Sequence, residues 1–258
     1  MHSKTITSPS DSIKKLSVLI HQDGLSFYIY EPSGVVETVS VDFKHSANPV
    51  EILQSIEKCF EEEAVLSYAF AKATLIYHHN IFTCVPAAIF KEENAVDYLK
   101  YNARILETDI ISIDDQLGTL GANTVYIAYE NINNYFFDRY GSYEYYHYSS
   151  RILQYHSTQL VTTASQVFLD IKKNHFYLTI IKNGRLIAHN LYPHDAIEDI
   201  LYYTLFTTHH NELDPETMEV VIYDEDKNES LHDLLYTYVR HVKFNTNHSN
   251  YIKKLLCV

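Results

Sequence analysis

The alternation of apolar and polar residues is densest over residues 166–192, QVFLDIKKNHFYLTIIKNGRLIAHNLY. Three strand-forming runs, 167–172, 175–181 and 185–191, follow one another there, separated only by Lys173-Asn174 and by Lys182-Asn183-Gly184. Asn-Gly is a strong hairpin turn because both residues tolerate positive φ, so the stretch predicts a three-strand meander. A helix-like run over 195–209 follows it, with Asp195, Glu198 and Asp199 in the first turn, where carboxylates favour the helix dipole.

The start of the chain carries the same pattern. Runs 16–20, 25–30 and 35–43 are separated by turns at Gln22-Asp23-Gly24 and Glu31-Pro32-Ser33-Gly34. Leu25, Phe27 and Ile29 alternate with Ser26, Tyr28 and Tyr30, a period of two. Asn48 and Pro49 then open a helix, the first as cap and the second at its first position, and Val50, Leu53, Ile56, Cys59 and Phe60 recur at helical spacing. After each helix comes another strand, 73–77 in the first copy and 218–223 in the second. Two copies about 150 residues apart are too far apart for a solenoid. They predict an α/β protein of two similar lobes, 14–160 and 161–258, each a mixed sheet that opens with a three-strand meander and is flanked by helices.

Between the copies, 72–78 and 82–86 predict a strand pair turning at His79-Asn80. Asn94 is expected to cap a helix through Leu99 to about residue 106. Strands are expected at 110–113 and 124–129, a helix over 131–140 that stops at Gly141, a strand-like run at 143–148, and a helix from Ser150 to about Leu160. Near the end, 229–241 predicts a helix with Leu231, Leu234, Leu235, Tyr238 and Val242 as its apolar stripe, and 242–244 a last strand. Residues 1–13 are polar and read as a disordered tail.

The net charge is −13 and no Lys/Arg cluster supplies a basic face, which argues against nucleic-acid or anionic-membrane binding. No run reaches the ~18 apolar residues a spanning helix needs. Cys59, Cys84 and Cys257 lie far apart without CxxC spacing, which points to a reducing, cytoplasmic setting. Fifteen His invite a metal reading, yet the adjacent pairs His78-His79 and His209-His210 diverge on a strand or helix and no HExxH occurs. No metal site is expected. GxSxG, GxGxxG and Walker sequences are also missing, and the setting of Cys84, FTCVP, reads as that of a buried, inert thiol. Tyrosines crowd residues 135–155. Core packing explains such a run, and a partner surface built on Tyr140, Tyr143, Tyr145 and Tyr148 is the alternative.

Two meander-then-helix halves resemble the duplicated fold of actin, hexokinase and the heat-shock chaperone ATPases. The order strand–helix–strand–helix over 124–160, feeding directly into the second meander, resembles the pilus-assembly and cell-division branch. Over roughly residues 14–244 the chain also looks like an uncharacterised bacterial family of actin-like proteins with a domain of unknown function. The resemblance implies that the first turn of each meander would hold phosphates, with glycine for close backbone approach and an acidic residue at the end of the first strand for the metal. The positions here that match are Asp23 and Gly24 in the first copy and Asp170 in the second, where Lys172 stands in place of the glycine. The adenosine-binding strand should end in Gly-Gly. Instead 219–223 runs into Asp224-Glu225-Asp226, whose carboxylates repel phosphate.

The expectation is therefore a degenerate actin-like ATPase fold without catalytic activity or cofactor, acting as a protein-binding or scaffold module whose partner is another protein or a second copy of itself. The alternatives are a divergent ATP-dependent enzyme or kinase using Asp170, Lys172, Asp23 and Gly24, and a small-molecule sensor that uses the cleft between the lobes.

Overall fold

The computed structural model describes residues 14–21, 23–101, 105, 109–115, 117–160, 165–246 and 248–257. The expectations for the tail 1–13, for Gln22 and for the end of the helix near 106 lie outside these residues.

The first meander is β1 (Lys15–His21), β2 (Gly24–Glu31) and β3 (Gly34–Asp42), followed by α1 (Pro49–Glu62) and β4 (Lys72–His78). The second is β9 (Ser165–Ile171), β10 (His175–Lys182) and β11 (Arg185–Pro193), followed by α5 (Ile197–His210) and β12 (Glu219–Tyr223). With β8 (Glu144–His147) and β13 (His241–Phe244) they form two five-stranded sheets of matching order, β3-β2-β1-β4-β8 and β11-β10-β9-β12-β13. β12 runs parallel to β9 while the meander itself is antiparallel. The Asn-Gly turn does what its residues favour: Asn183 (φ 53°) and Gly184 (φ 73°) both take the left-handed region, closing Lys182 onto Arg185. A third sheet, β5-β7-β6, comprises β5 (Phe82–Pro86), β6 (Asp109–Asp114) and β7 (Ala122–Tyr129).

The chain packs as two compact units. The first contains β1–β3, α1, most of β4 and α3 (Glu130–Tyr140); the second contains the third sheet, α4 (Tyr148–Ser157), β9–β13, α5, α6 (Glu229–Tyr236) and most of α7 (His248–Leu256). In the first, Asn48 Oδ1 accepts from Val50 N (2.9 Å) and Glu51 N (3.1 Å), while Glu51 Oε2 accepts from Asn48 N (2.9 Å). This capping box fixes the start of α1, which then buries Ile52, Ile56, Cys59 and Phe60. In the second, Val167, Leu169, Phe176, Leu178 and Ile180 project from one face of the meander. They meet Ile200 of α5, Leu231 and Leu235 of α6, and Val220 and Ile222 of β12.

Four details differ from the sequence expectation. β4 and β5 do not pair but lie in separate sheets: Ile127 N donates to Ile81 O and His79 Nε2 donates to Ile127 O, so the connection is drawn onto β7. Asn94 makes no side-chain cap; it ends a 3-10 turn (Glu92–Asn94) outside the extended geometry a cap needs, and α2 covers only Ala95–Leu99. α6 ends at Tyr236, leaving Tyr238 exposed and Val239 buried in its stead. Finally, α7 is a helix where the sequence pattern defined nothing. Among the described residues no helix is long and apolar enough to cross a membrane.

Candidate functional site

Strand alternation decides which residues of the second unit can meet. Register pairs Asp170 with Tyr177, Phe168 with Thr179, and Thr179 with His189. These five therefore share the face opposite the apolar cluster, and all are buried. The resulting layer is polar and aromatic.

Asp170 lies at one end of it, 1% exposed. A carboxylate this deep must be paired and hydrogen-bonded. Lys172 Nζ lies 2.8 Å from Oδ1, and the Tyr251 hydroxyl donates to Oδ2. Two residues apart on one strand, Asp170 and Lys172 are on the same face, so the pair follows from spacing. Burial pulls the Lys172 ammonium down, but the Asp170 charge prevails and holds it above the usual lysine range. Burial, reinforced by the same carboxylate, pushes the Tyr251 hydroxyl well up, so it stays protonated and donates. Tyr251 comes from α7 and packs on Tyr223 (ring centroids 4.4 Å apart) and Tyr155 (4.9 Å). Arg151 of α4 secures the last turn of that helix, donating from Nε to Leu255 O (3.1 Å) and from Nη2 to Lys254 O (3.0 Å).

Beside this lock, a cavity of about 590 Å³ is lined by Lys172, Lys173 and His194 on one side and by Asp224, Glu225 and Asp226 on another. Asp224 turns inward on its own loop: Oδ1 accepts from Asp226 N (3.2 Å) and Oδ2 from Asn228 N (2.9 Å). The Asp226 and Asn228 amides of this loop are thus turned to a carboxylate of the chain itself.

Asp23 and Gly24 sit in the first unit, and the meander itself accounts for Gly24. A Cβ there would fall 2.5 Å from Val41 O and 2.8 Å from His21 Cε1, so only glycine fits under β3. Asp23 is exposed, with Oδ1 2.7 Å from His21 Nδ1. Of the tyrosines, Tyr140 and Tyr143 pack around Phe136 at 5.9 and 6.2 Å, Tyr145 lies 6.0 Å from Tyr143, and the Tyr143 hydroxyl donates to Asn133 O. Tyr148 is not a surface residue: it is 2% exposed and stacks on His78 at 4.4 Å.

Five of the described histidines, His78, His79, His147, His156 and His189, are buried. His79 donates from Nε2 to Ile127 O (2.9 Å) and accepts at Nδ1 from Ile81 N (3.2 Å). His147 donates from Nε2 to His79 O (3.1 Å) and accepts at Nδ1 from Ser149 N (3.1 Å). His189 is held between Thr179 Oγ1 (2.8 Å) and Ser149 Oγ. His156 stacks on Phe168 at 4.1 Å with neither ring nitrogen hydrogen-bonded. Burial pushes His79 down to about 4 and His189 to about 3, and holds His147 and His156 well below the usual range. Among the described residues no three His, Cys, Asp or Glu side chains are grouped to hold a metal ion. Cys84 is half-buried, more open than its sequence setting implies, and burial pushes its thiol up to about 12.

The fold has known counterparts. A crystal structure from Bacteroides thetaiotaomicron VPI-5482, described as a protein with an actin-like ATPase fold and unknown function, aligns at a TM-score of 0.82 with 19% identity, covering 96% of each chain. A chain of the PilM–PilN type IV pilus biogenesis complex aligns at 0.56 with 12% identity, covering 94% of this chain and 90% of that one. No curated protein matches in sequence. The fold is thus that of the actin-like ATPases. The chain belongs to the family described as protein of unknown function DUF3822, which matches residues 3–242.

Proposed function

We propose that this chain is a cytoplasmic, non-catalytic binding module that keeps the actin-like fold but does not use a nucleotide. The observation that carries the reading is the state of Asp170. In the proteins it resembles, this acidic position serves the nucleotide's metal. Here its two oxygens are engaged by Lys172 Nζ and the Tyr251 hydroxyl. A lysine where glycine would admit a phosphate adds bulk as well as charge. The division into lobes 14–160 and 161–258 belongs to the same reading, because each side opens with the same meander and sheet order. A role in holding another protein accords with the solved relative that stands in a pilus-biogenesis complex. Tyr140, Tyr143 and Tyr145 are one face this reading offers a partner.

The test is thermal denaturation with millimolar ATP or ADP and Mg²⁺. A ligand at 100 times its Kd raises stability by ~2.7 kcal/mol, so a bound nucleotide shows clearly. The expected result is no rise. A rise that disappears in Asp170→Asn, or ATP turnover that the same substitution abolishes, refutes the proposal in favour of a divergent enzyme.

A further inference from the structure

A second cavity in the second unit, about 520 Å³, has walls unlike the first. One wall is β5, at the end of the third sheet; the other is β11, at the end of the second meander's sheet. Each is a strand edge, and an edge strand presents unpaired backbone N–H and C=O groups at ladder spacing.

Edges are usually protected by charge, and the other sheet ends here conform. β3 carries Glu37 and Asp42, β8 carries Glu144, β13 carries Lys243, and β6 carries Asp109. β5 has no charged residue at all, and the only one in β11, Arg185, lies outside the cavity. Among the described residues lining this cavity none is Asp, Glu, Lys or Arg, in a chain with 53 such residues. β5 and β11 are the two edges that line one space, and neither brings a charge to it. Two features bound the usable length. The β10–β11 register shifts between Ile180 and Ile181, leaving Ile187 as a bulge, 42% exposed, and Pro86 ends β5. That leaves 188–191 and 82–85, about 13 Å of continuous edge on each wall at ~3.3 Å per residue.

We infer that this groove takes an extended, uncharged segment of a partner protein, about four residues long, as an added strand against β11 or β5. The wall chemistry selects that occupant. Backbone groups at ladder spacing give affinity to any extended chain, as in strand addition generally, and a charged segment would be desolvated with no opposite charge to meet it. The small side chains of Thr83 and Ala188 leave room at the edge, and Asn190 adds a neutral polar contact. The inference rests on the binding-module reading and names the surface by which that binding occurs.

The test is selection from a displayed library of random decapeptides on the full chain, followed by affinity measurement for the enriched peptides. Enriched peptides are expected to share an uncharged run of four or more residues. N-methylation at alternate positions of that run should weaken binding roughly tenfold, as expected for losing one or two backbone hydrogen bonds. Thr83→Lys and Asn190→Lys, which restore edge charge without touching the core, should lose binding while their melting temperatures stay unchanged. The inference is overturned by failure to enrich any peptide, by peptides that bind both variants undiminished, or by tolerance of N-methylation throughout. It is equally overturned by a dimer of this chain that Asn190→Lys dissociates, since the groove's occupant is then a second copy. Nucleotide binding would refute the underlying reading but leave the peptide result standing, so the two failures are distinct.

Discussion

Acidification from pH 7.5 to 5.0 should cost this protein most of its stability, and the structure sets the size of the loss. His79, His147, His156 and His189 are buried and held neutral, with His79 at about 4, His189 at about 3 and the other two well below the usual range. The geometry gives an independent reason for two of them. In His79 and His147 the Nδ1 lone pair already accepts a backbone N–H, so a proton there would face another donor. Unfolded, each ring titrates near 6.5. Below that pH the unfolded chain binds protons the folded chain cannot, and stability falls as pH falls. At pH 5.0 each histidine contributes a loss of about 2 kcal/mol, about 8 kcal/mol for four. Asp114 works in the opposite sense. Burial outweighs the hydrogen bonds from His147 N and the Tyr126 hydroxyl and raises its carboxyl to about 6. It is protonated in the folded state before the unfolded one, which returns about 1 kcal/mol at pH 5.0. The net loss of about 7 kcal/mol compares with a total of 5–15 for a typical domain. Urea denaturation at half-unit steps is the assay. About 4 kcal/mol should be lost between pH 6 and 5 alone. A loss below about 1.4 kcal/mol over that unit, the equivalent of one proton, refutes the reasoning.

Further outcomes follow from single contacts. His156→Phe replaces a buried imidazole with no hydrogen bond by a ring of similar shape on Phe168; it should stabilise by about 1–3 kcal/mol at pH 7 and flatten the acid limb of the urea series by one proton. Lys172→Met strips the buried Asp170 of its counter-charge and should cost about 3–5 kcal/mol, whereas Asp170→Asn combined with Lys172→Met costs less than the single change; a double-mutant cycle in urea reads both. Gly24→Ala forces a methyl against Val41 O and should cost about 1–3 kcal/mol by thermal melting, while Asp23→Ala leaves the melting temperature unchanged. Asn48→Ala opens the capping box of α1 and should cost about 1 kcal/mol.

The meanders were legible because their signals are local. Alternation, an Asn-Gly turn and an Asn-Pro helix start each work within a few residues, and both sheets and α1 stand where those residues place them. Strand partnership beyond a hairpin is not local. The sequence at His79-Asn80 reads as a turn, but His79 chooses β7 through a hydrogen bond to a residue 48 positions away. Asn94 shows the same limit at short range: a residue suited to cap a helix cannot do so once its own backbone is drawn into a 3-10 turn. For α7 a usable signal existed and was slight, a four-residue spacing of Tyr251 and Leu255, both fully buried.

The site divides along the same line. That the first turn of the second meander lacks glycine is plain in the sequence, and the two-residue spacing of Asp170 and Lys172 on one strand was the signal from which their ion pair could have been read. What completes the pair does not show. Tyr251 is 81 residues from Asp170 and reaches it from α7, whose last turn is bonded by Arg151. A missing glycine alone would leave a cleft able to admit some other anion beside a free carboxylate. The tyrosine and the lysine instead contact that carboxylate from within the chain, one by a hydrogen bond and the other as its counter-charge. The consequence extends to the other cavity. On the proposal that the chain binds a partner and no nucleotide, recognition uses a different surface, and β5 and β11, which bring no Asp, Glu, Lys or Arg to the cavity they line, are the edges proposed for it.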